Sequence, residues 1–236
     1  MQISQIFLST NPSEELSPFL KHATGTIDAC FPEAKHVIYN ADSLRAFIAD
    51  NYEEHVLWAY DTLKPFAYKA DLGRYCLLAK LGGWYIDIAI RMFNRVEMRE
   101  HVELFVFRDI QRFSFTSWSC VNGLIYAKPS CEVFHTAIEM IVANCVQQYY
   151  GITPLCPTGP TLFGKAIVMT GAKDSHVFGD FLELTPSHGQ KNKAFVASDG
   201  TIVAWHKPSS GGDIASLGAK GTNNYNNAWH SRMVYS

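Results

Sequence analysis

The chain has 236 residues, 47% hydrophobic and 18% charged, which is enough to bury a substantial core in one large α/β domain or two small ones. A net charge of -2 gives no electrostatic reason to expect nucleic acid, which needs a clustered basic face. No apolar run approaches the roughly 20 residues needed to cross a bilayer, and Met1-Gln2-Ile3-Ser4-Gln5 lacks the basic start of a secretory signal, so a cytoplasmic location is expected.

In chain order, Gln5-Ile6-Phe7-Leu8 predicts a first strand, and Asn11-Pro12-Ser13-Glu14 is a helix-start signal. His36–Tyr39 predicts a second strand, and Leu44, Phe47 and Ile48 have the spacing of a short amphipathic helix. Strand and helix alternating in this way favour an α/β layer architecture. From Pro65 to Leu81 apolar residues lie almost all round, predicting a buried helix that Gly82-Gly83 stops. Trp84 to Met92 then alternates as one strand would, with Tyr85, Asp87, Ala89 and Arg91 on the face opposite Trp84, Ile86, Ile88, Ile90 and Met92. Further strands are predicted over Leu104–Phe107 and Leu124–Ala127. A helix opens after Pro129-Ser130 with Val133, Phe134, Ala137, Ile138, Ile141 and Val142 as its core face. Thr161 to Val168 reads as a helix, and Asp199-Gly200 between two apolar runs is a hairpin signal. A loop rich in Gly, Ser and Asn follows from Pro208. One domain over residues 1–236 is expected, with 206–236 as a C-terminal lid.

The six cysteines, Cys30, Cys76, Cys120, Cys131, Cys145 and Cys156, are widely spaced with no C-x-x-C pair, and several lie in apolar segments, so structural thiols are expected.

The chemistry-bearing stretch runs from Ala67 to Ala89. Asp71 and Arg74 lie three apart on an otherwise apolar helix and share a face. Such a pair either satisfies itself locally or is satisfied by a ligand. Asp87 follows a Gly-Gly turn on an apolar strand, where it is either held by loop amides or placed at the strand end where α/β sheets put ligands.

The string KADLGRYCLLAKLGGWYIDIAI resembles the signature of DXD-containing glycosyltransferase family 32: a helix with A-D-x-x-R-Y, then G-G-x-Y-x-D-x-D. Ala70, Asp71, Arg74, Tyr75, Gly82, Gly83, Tyr85 and Asp87 match. The likeness extends to Asn122, to Thr158-Gly159-Pro160, and to Asn224-Tyr225-Asn226-Asn227-Ala228-Trp229. It implies a GT-A-type nucleotide-diphospho-sugar transferase fold, with a mixed, mostly parallel sheet flanked by helices. It also implies a retaining hexosyltransferase that moves sugar from a UDP-sugar or GDP-sugar donor to a hydroxyl of a glycan or lipid-linked glycan. The implied setting is bacterial capsule or lipopolysaccharide synthesis, at the inner face of the membrane by peripheral association. Asp71, Arg74 and Asp87 are the implied catalytic residues. Tyr75, Gly83, Tyr85, Asn122, Thr158, Gly159 and Trp229 join them in donor binding, and Asp87 with Asn227 is the implied ligand set for Mn²⁺ or Mg²⁺.

A D-x-D pair on one strand face can address a single metal ion and the diphosphate it neutralises. Here the second position is Ala89. Metal held by Asp87, phosphate oxygens, water and a C-terminal polar residue is one explanation. Replacement of the metal by a fixed cation such as Arg91 is a second, disfavoured by reach. A catalytically weak or inactive sugar-nucleotide-binding protein is the third, and an enzyme that glycosylates a host protein is a further rival. His206 and Lys207 could close on the diphosphate, Arg108-Asp109 could line the cleft or form a surface pair, and Trp229 could stack on base or sugar or pack as core.

Overall fold

The computed structural model describes residues 1–11, 14–171, 173–184, 193–209 and 212–236. Among the described residues nine strands form one sheet: β1 (Gln2–Ile6), β2 (Lys35–Tyr39), β3 (Gly83–Ile86), β4 (Arg91–Met92), β5 (Leu104–Arg108), β6 (Cys120–Ala127), β7 (His176–Glu183), β8 (Lys193–Val196) and β9 (Ile202–Trp205). Seven helices accompany them: α1 (Pro18–Cys30), α2 (Ala41–Asn51), α3 (Glu54–Thr62), α4 (Phe66–Leu81), α5 (Glu132–Gln147), α6 (Pro160–Thr170) and α7 (Tyr225–His230). The strand order is β2-β1-β3-β6-β5-β7-β8-β9-β4.

The sheet is mixed, as expected, but antiparallel neighbours outnumber parallel ones. Only β1 with β2, β1 with β3, and β5 with β7 run parallel. The expectation of a mostly parallel sheet is corrected on this point. Parallel pairing needs a long crossover, which α1 and the α2–α4 segment provide early in the chain. Some later strands instead return beside their predecessor in the opposite sense, as at the tight Asp199-Gly200 turn between β8 and β9.

Period-2 alternation assigns the two sheet faces. Tyr85, Leu104, Val106 and Ile125 pack with α2–α6, whereas Trp84, Ile86, Phe105, Phe107 and Leu124 pack with Ile27 and Phe31 of the α1 region on the other side. Helix α4 is buried along most of its length because sheet, α2, α3 and α5 surround it. Its Tyr75 stacks on Phe163 of α6 at 5.4 Å, and Phe163 stacks on Phe134 of α5 at 6.0 Å, tying three helices together.

Several expected boundaries move. The helix-start signal at 11–14 lies partly outside the described residues; α1 begins at Pro18, with the Ser17 hydroxyl accepting from the Leu20 amide as N-cap. The predicted strand over Trp84–Met92 is two strands. β3 ends at Ile86, and the Ile90 amide donates to the Asp87 carbonyl at 2.9 Å, closing a turn. Ile88 and Ala89 drop into a small cluster with Phe7, Leu20 and Ala219, while Ile90 and Met92 join the core around Trp84. The apolar alternation therefore reflects burial in two different clusters, and positions 87 and 89 do not share a strand face.

Gly82 and Gly83 have φ of 62° and 83°, a region open to glycine. A Cβ on Gly83 would overlap the Gln2 carbonyl oxygen, and one on Gly82 would overlap Pro129. Gly83→Ala is expected to cost about 2–4 kcal/mol in urea denaturation, through backbone strain and overpacking. Nucleotide affinity of the folded fraction is expected to stay unchanged.

Candidate active site

The parallel strands end at one edge, and there a cavity of ≈ 340 Å³ opens, within the usual range for small-molecule sites. Asp87 follows β3, Asp109 follows β5, and Asn122 lies near the start of the antiparallel β6, so all three reach the same edge. A second lobe of ≈ 130 Å³ adjoins it and shares Ala67, Arg74, Asp87 and Gly212. That lobe is largely apolar, with Phe7, Leu8, Phe66 and Ile214 among its walls, and Lys207 is its charged member besides Arg74 and Asp87.

A continuous charge network joins the two lobes. Arg74, 4% exposed, pairs with Asp71 at 3.1 Å and with Asp87 at 3.2 Å, and donates to the Asn122 carbonyl. Its guanidinium also lies over the Tyr85 ring, 4.6 Å from the centroid. Asp71 accepts from Thr158 Oγ1 at 2.6 Å and from Asn122 Nδ2 at 2.9 Å. Asn122 Nδ2 also donates to the Tyr75 hydroxyl at 2.8 Å, which donates to the Thr158 carbonyl at 3.1 Å. Asp87 Oδ1 accepts from the Tyr85 hydroxyl at 2.8 Å, and the Asp87 amide donates to the Gly123 carbonyl at 2.7 Å.

These contacts set the charges. Burial pushes the Asp71 carboxyl up, against the opposing pull of Arg74 and Thr158. Burial works against the charge on Arg74, but Asp87, Tyr85 and Asp71 together outweigh it and raise its pKa. Asp87 differs from both: its side chain is 41% exposed, the open end of an otherwise buried network. Burial also raises Asp109, which accepts from the Ile110 amide and the Ser119 hydroxyl. Burial pushes Lys207 down to about 8, against the raising effect of Asp87 and Asp213. Burial, reinforced by Lys207 and Lys193, holds His206 down to about 3, so its imidazole is neutral. His206 Nδ1 lies 3.1 Å from the Lys207 carbonyl, which can only accept, so the ring proton sits on Nδ1.

Of the residues singled out from sequence, Asp71, Arg74, Tyr75, Tyr85, Asp87, Asn122, Thr158 and Gly159 all meet here by lining the cavity or by bonding to what lines it. Three do not. Gly83 stands at the start of β3, where it accommodates the Gln2 backbone rather than a ligand. Trp229 donates from Nε1 to the Tyr150 carbonyl at 2.8 Å and packs on the main core, outside the cavity lining. Asn227 is exposed on α7 and is not a lining residue either, because α7 turns Tyr225, not Asn227, toward the cavity. Arg108 pairs at the surface with Asp180 at 2.8 Å, leaving Asp109 as the cleft member of that dipeptide. Sequence reasoning missed Tyr68, Phe181, Lys193 and Tyr225 in the walls. Tyr68 and Tyr225 lie within stretches already singled out, beside the residues assigned roles there, whereas Phe181 and Lys193 come from segments with no motif.

The α/β architecture with this edge-on cavity is that of a GT-A glycosyltransferase fold. The solved structure of PaToxG glycosyltransferase superposes with a TM-score of 0.55 at 15% identity, over 72% of this chain and 69% of that one. Residues 20–102 match a family model described as glycosyltransferase sugar-binding region containing DXD motif. An uncharacterized glycosyltransferase, L373, of Acanthamoeba polyphaga mimivirus is 31% identical over 100 residues, covering 42% of this chain and 39% of the viral protein. The match thus spans well under half of that relative's length. The segment matched by the DXD family model carries α4, β3 and Asp87, and the similarity to the viral protein is likewise to a glycosyltransferase. No described helix is long and apolar enough to cross a membrane.

Proposed function

We propose that the chain is a retaining glycosyltransferase that moves a hexosyl unit from a nucleoside diphosphate sugar to a glycan hydroxyl. The observation that carries it is the buried Asp71–Arg74–Asp87 network with one carboxylate open to a two-lobed cavity. The apolar lobe beside Phe7 and Ile214 suits the base and ribose. The polar lobe, with Asp71, Asn122 and Asp109, suits sugar hydroxyls. Asp87 lines both lobes and suits the diphosphate between them, with Lys207 near it in the wall of the apolar lobe and residues 206–236 as a lid on that side.

The donor set fits a divalent ion held chiefly by substrate. Asp87 Oδ1 already has two protein partners, so Oδ2 is the protein oxygen offered, and Mg²⁺ or Mn²⁺ sites on phosphates need few carboxylates. When bound, such an ion supplies Lewis-acid stabilisation of the leaving diphosphate. In transfer, the sugar C1–O bond to phosphate breaks with its electron pair leaving on the diphosphate, C1 bonds to the acceptor oxygen, and the acceptor's hydroxyl proton passes to the departing diphosphate oxygen. Lys207 counters the charge that develops on the diphosphate, while Asp71 and Arg74 hold the sugar in place. A role in bacterial surface polysaccharide synthesis, with the enzyme resting on the membrane face, is part of the proposal.

Calorimetric titration with UDP-glucose, UDP-galactose and GDP-mannose, with and without Mn²⁺, tests it. Binding of one donor, tightened by Mn²⁺, is expected; no binding to any of them overturns the proposal.

A second reading, a sugar-nucleotide binder with little turnover, is favoured by Ala89. That residue is 3% exposed among Phe7, Leu20 and Ile88. Ala89→Asp is expected to lose about 2–4 kcal/mol of stability without metal, because a carboxylate would enter an apolar cluster. If the variant instead gains turnover over the parent, the binder reading is the better one.

A further inference from the structure

At the opposite end of the sheet, Glu103, Cys131 and His176 bring a carboxylate oxygen, a thiol sulfur and an imidazole nitrogen within 4.8 Å of one another. They arrive from three places. Glu103 directly precedes β5, Cys131 is the N-cap of α5, and His176 opens β7. In the parallel β5–β7 pair, Leu104 stands opposite His176, so the cluster sits where both strands begin. The polar cavity lies beyond where β5 ends, at Asp109, about 20 Å away along an extended strand.

His176 is 7% exposed, and among the described residues neither of its ring nitrogens has a hydrogen-bond partner. Buried polar atoms are nearly always paired, so an imidazole with both nitrogens orphaned calls for a ligand. Cys131 is 1% exposed beside it. Ser175 Oγ donates to Glu103 Oε2 at 3.1 Å, the kind of outer partner that orients a ligating carboxylate. Lys173 Nζ stands 3.7 Å from Glu103 Oε1 and 3.7 Å from Glu132, and its half-exposed side chain can turn outward to Glu132 alone.

We propose that Glu103, Cys131 and His176 bind a transition-metal ion, Zn²⁺ by the chemistry of the donor set, with water in the fourth position. Sulfur, nitrogen and oxygen donors on one tetrahedral ion lie about 3.3–3.7 Å from each other, so the three side chains close by roughly an ångström to reach it. On binding, the Cys131 thiol gives its proton to solvent and the metal takes the sulfur, nitrogen and oxygen lone pairs; nothing is oxidised. The ion would clamp the starts of β5 and β7 to the start of α5.

The test uses the full chain, stripped with a chelator and free of nucleotide, titrated with Co²⁺ and then Zn²⁺. Expected are a thiolate-to-cobalt absorption band complete at one equivalent, its displacement by Zn²⁺, and a higher melting temperature with Zn²⁺. Cys131→Ser keeps a favourable N-cap for α5 and should abolish the band. His176→Gln should weaken Co²⁺ binding at least about tenfold, and Asp87→Asn should leave the band intact. No band in the folded parent, a band that survives Cys131→Ser, or a band lost in Asp87→Asn would overturn the site. Because nucleotide is absent throughout, the result is independent of whether the polar cavity binds a sugar donor.

Discussion

Replacing Arg74 with methionine should remove about 3–5 kcal/mol of folding stability, the usual consequence of leaving a buried carboxylate without its cation. Arg74 is buried between Asp71 and Asp87 and also donates to the Asn122 carbonyl, so methionine leaves three acceptors short of a donor. Thr158 and Asn122 still donate to Asp71, which keeps the loss from being larger. Urea denaturation measures it, and a loss below about 1 kcal/mol would contradict the network. The pH dependence has a definite sign. Burial already raises Asp71, and removing Arg74 raises it further. An acid whose folded pKa lies above its unfolded value favours folding most when protonated. The penalty of Arg74→Met relative to the parent therefore shrinks on acidification toward the ordinary carboxylate pKa and is complete above the raised folded value. The double variant Arg74→Met with Asp71→Asn should recover much of the stability while still failing to bind a sugar nucleotide. That combination separates the network's structural role from the proposed ligand role.

Lys207→Met should move stability and binding in opposite directions. Lys207 is 8% exposed, and burial lowers its pKa from the ordinary 10.5 to about 8. A base with a lowered folded pKa destabilises the fold while it is charged. The cost is fully present below pH 8 and is relieved as pH rises from 8 toward 10.5. At pH 7 the methionine variant should thus be more stable by about 1–3 kcal/mol, a gap that closes in alkali. Affinity for a nucleoside diphosphate should fall at least about tenfold, or 1.4 kcal/mol, if the cation proposed to face the diphosphate is removed. In the parent, the same affinity should decline above pH 8 as Lys207 loses its proton. A variant that is both less stable and undiminished in binding would show that Lys207 serves the fold alone, through contacts such as its 3.0 Å hydrogen bond to the Asp213 carbonyl. Such opposition of stability and function is expected where a fold keeps an uncomfortable charge for its ligand.

Much of the site was legible because α4 carries a contradiction in its own sequence: a helix apolar on every side that nevertheless holds Asp71 and Arg74. Charge in such a helix must be satisfied in the interior, and the structure satisfies it with Thr158, Asn122 and Asp87. Most of the strands, the buried helix, the Asp199-Gly200 hairpin and the helix over Thr161–Val168 followed from local rules of periodicity and capping, whereas β7 was not foreseen. What failed was the face assignment after Ile86. Isoleucines alternating at 86, 88 and 90 satisfy a strand pattern, yet a turn intervenes: Ile86 and Ile90 join the core around Trp84, while Ile88 is buried in a separate cluster with Phe7 and Leu20. Periodicity reports that a side chain is buried but not against what.

By itself, then, the sequence determined the α4 charge pair, the glycine stop, the carboxylate at position 87 and the missing one at 89. Those features rest on local stereochemistry and on residue types that are costly to bury. Only the tertiary structure decided that Asp87 ends a strand at a turn. The same packing brings Lys207 and Tyr225 in from the far end of the chain to the cavity, and leaves Asn227 and Trp229 outside it. It also sets Glu103, Cys131 and His176 side by side at the other end of the sheet. The physical reason is the same in each case: strand pairing and core packing join residues far apart in sequence, and no local pattern encodes which of two buried surfaces a distant segment will meet.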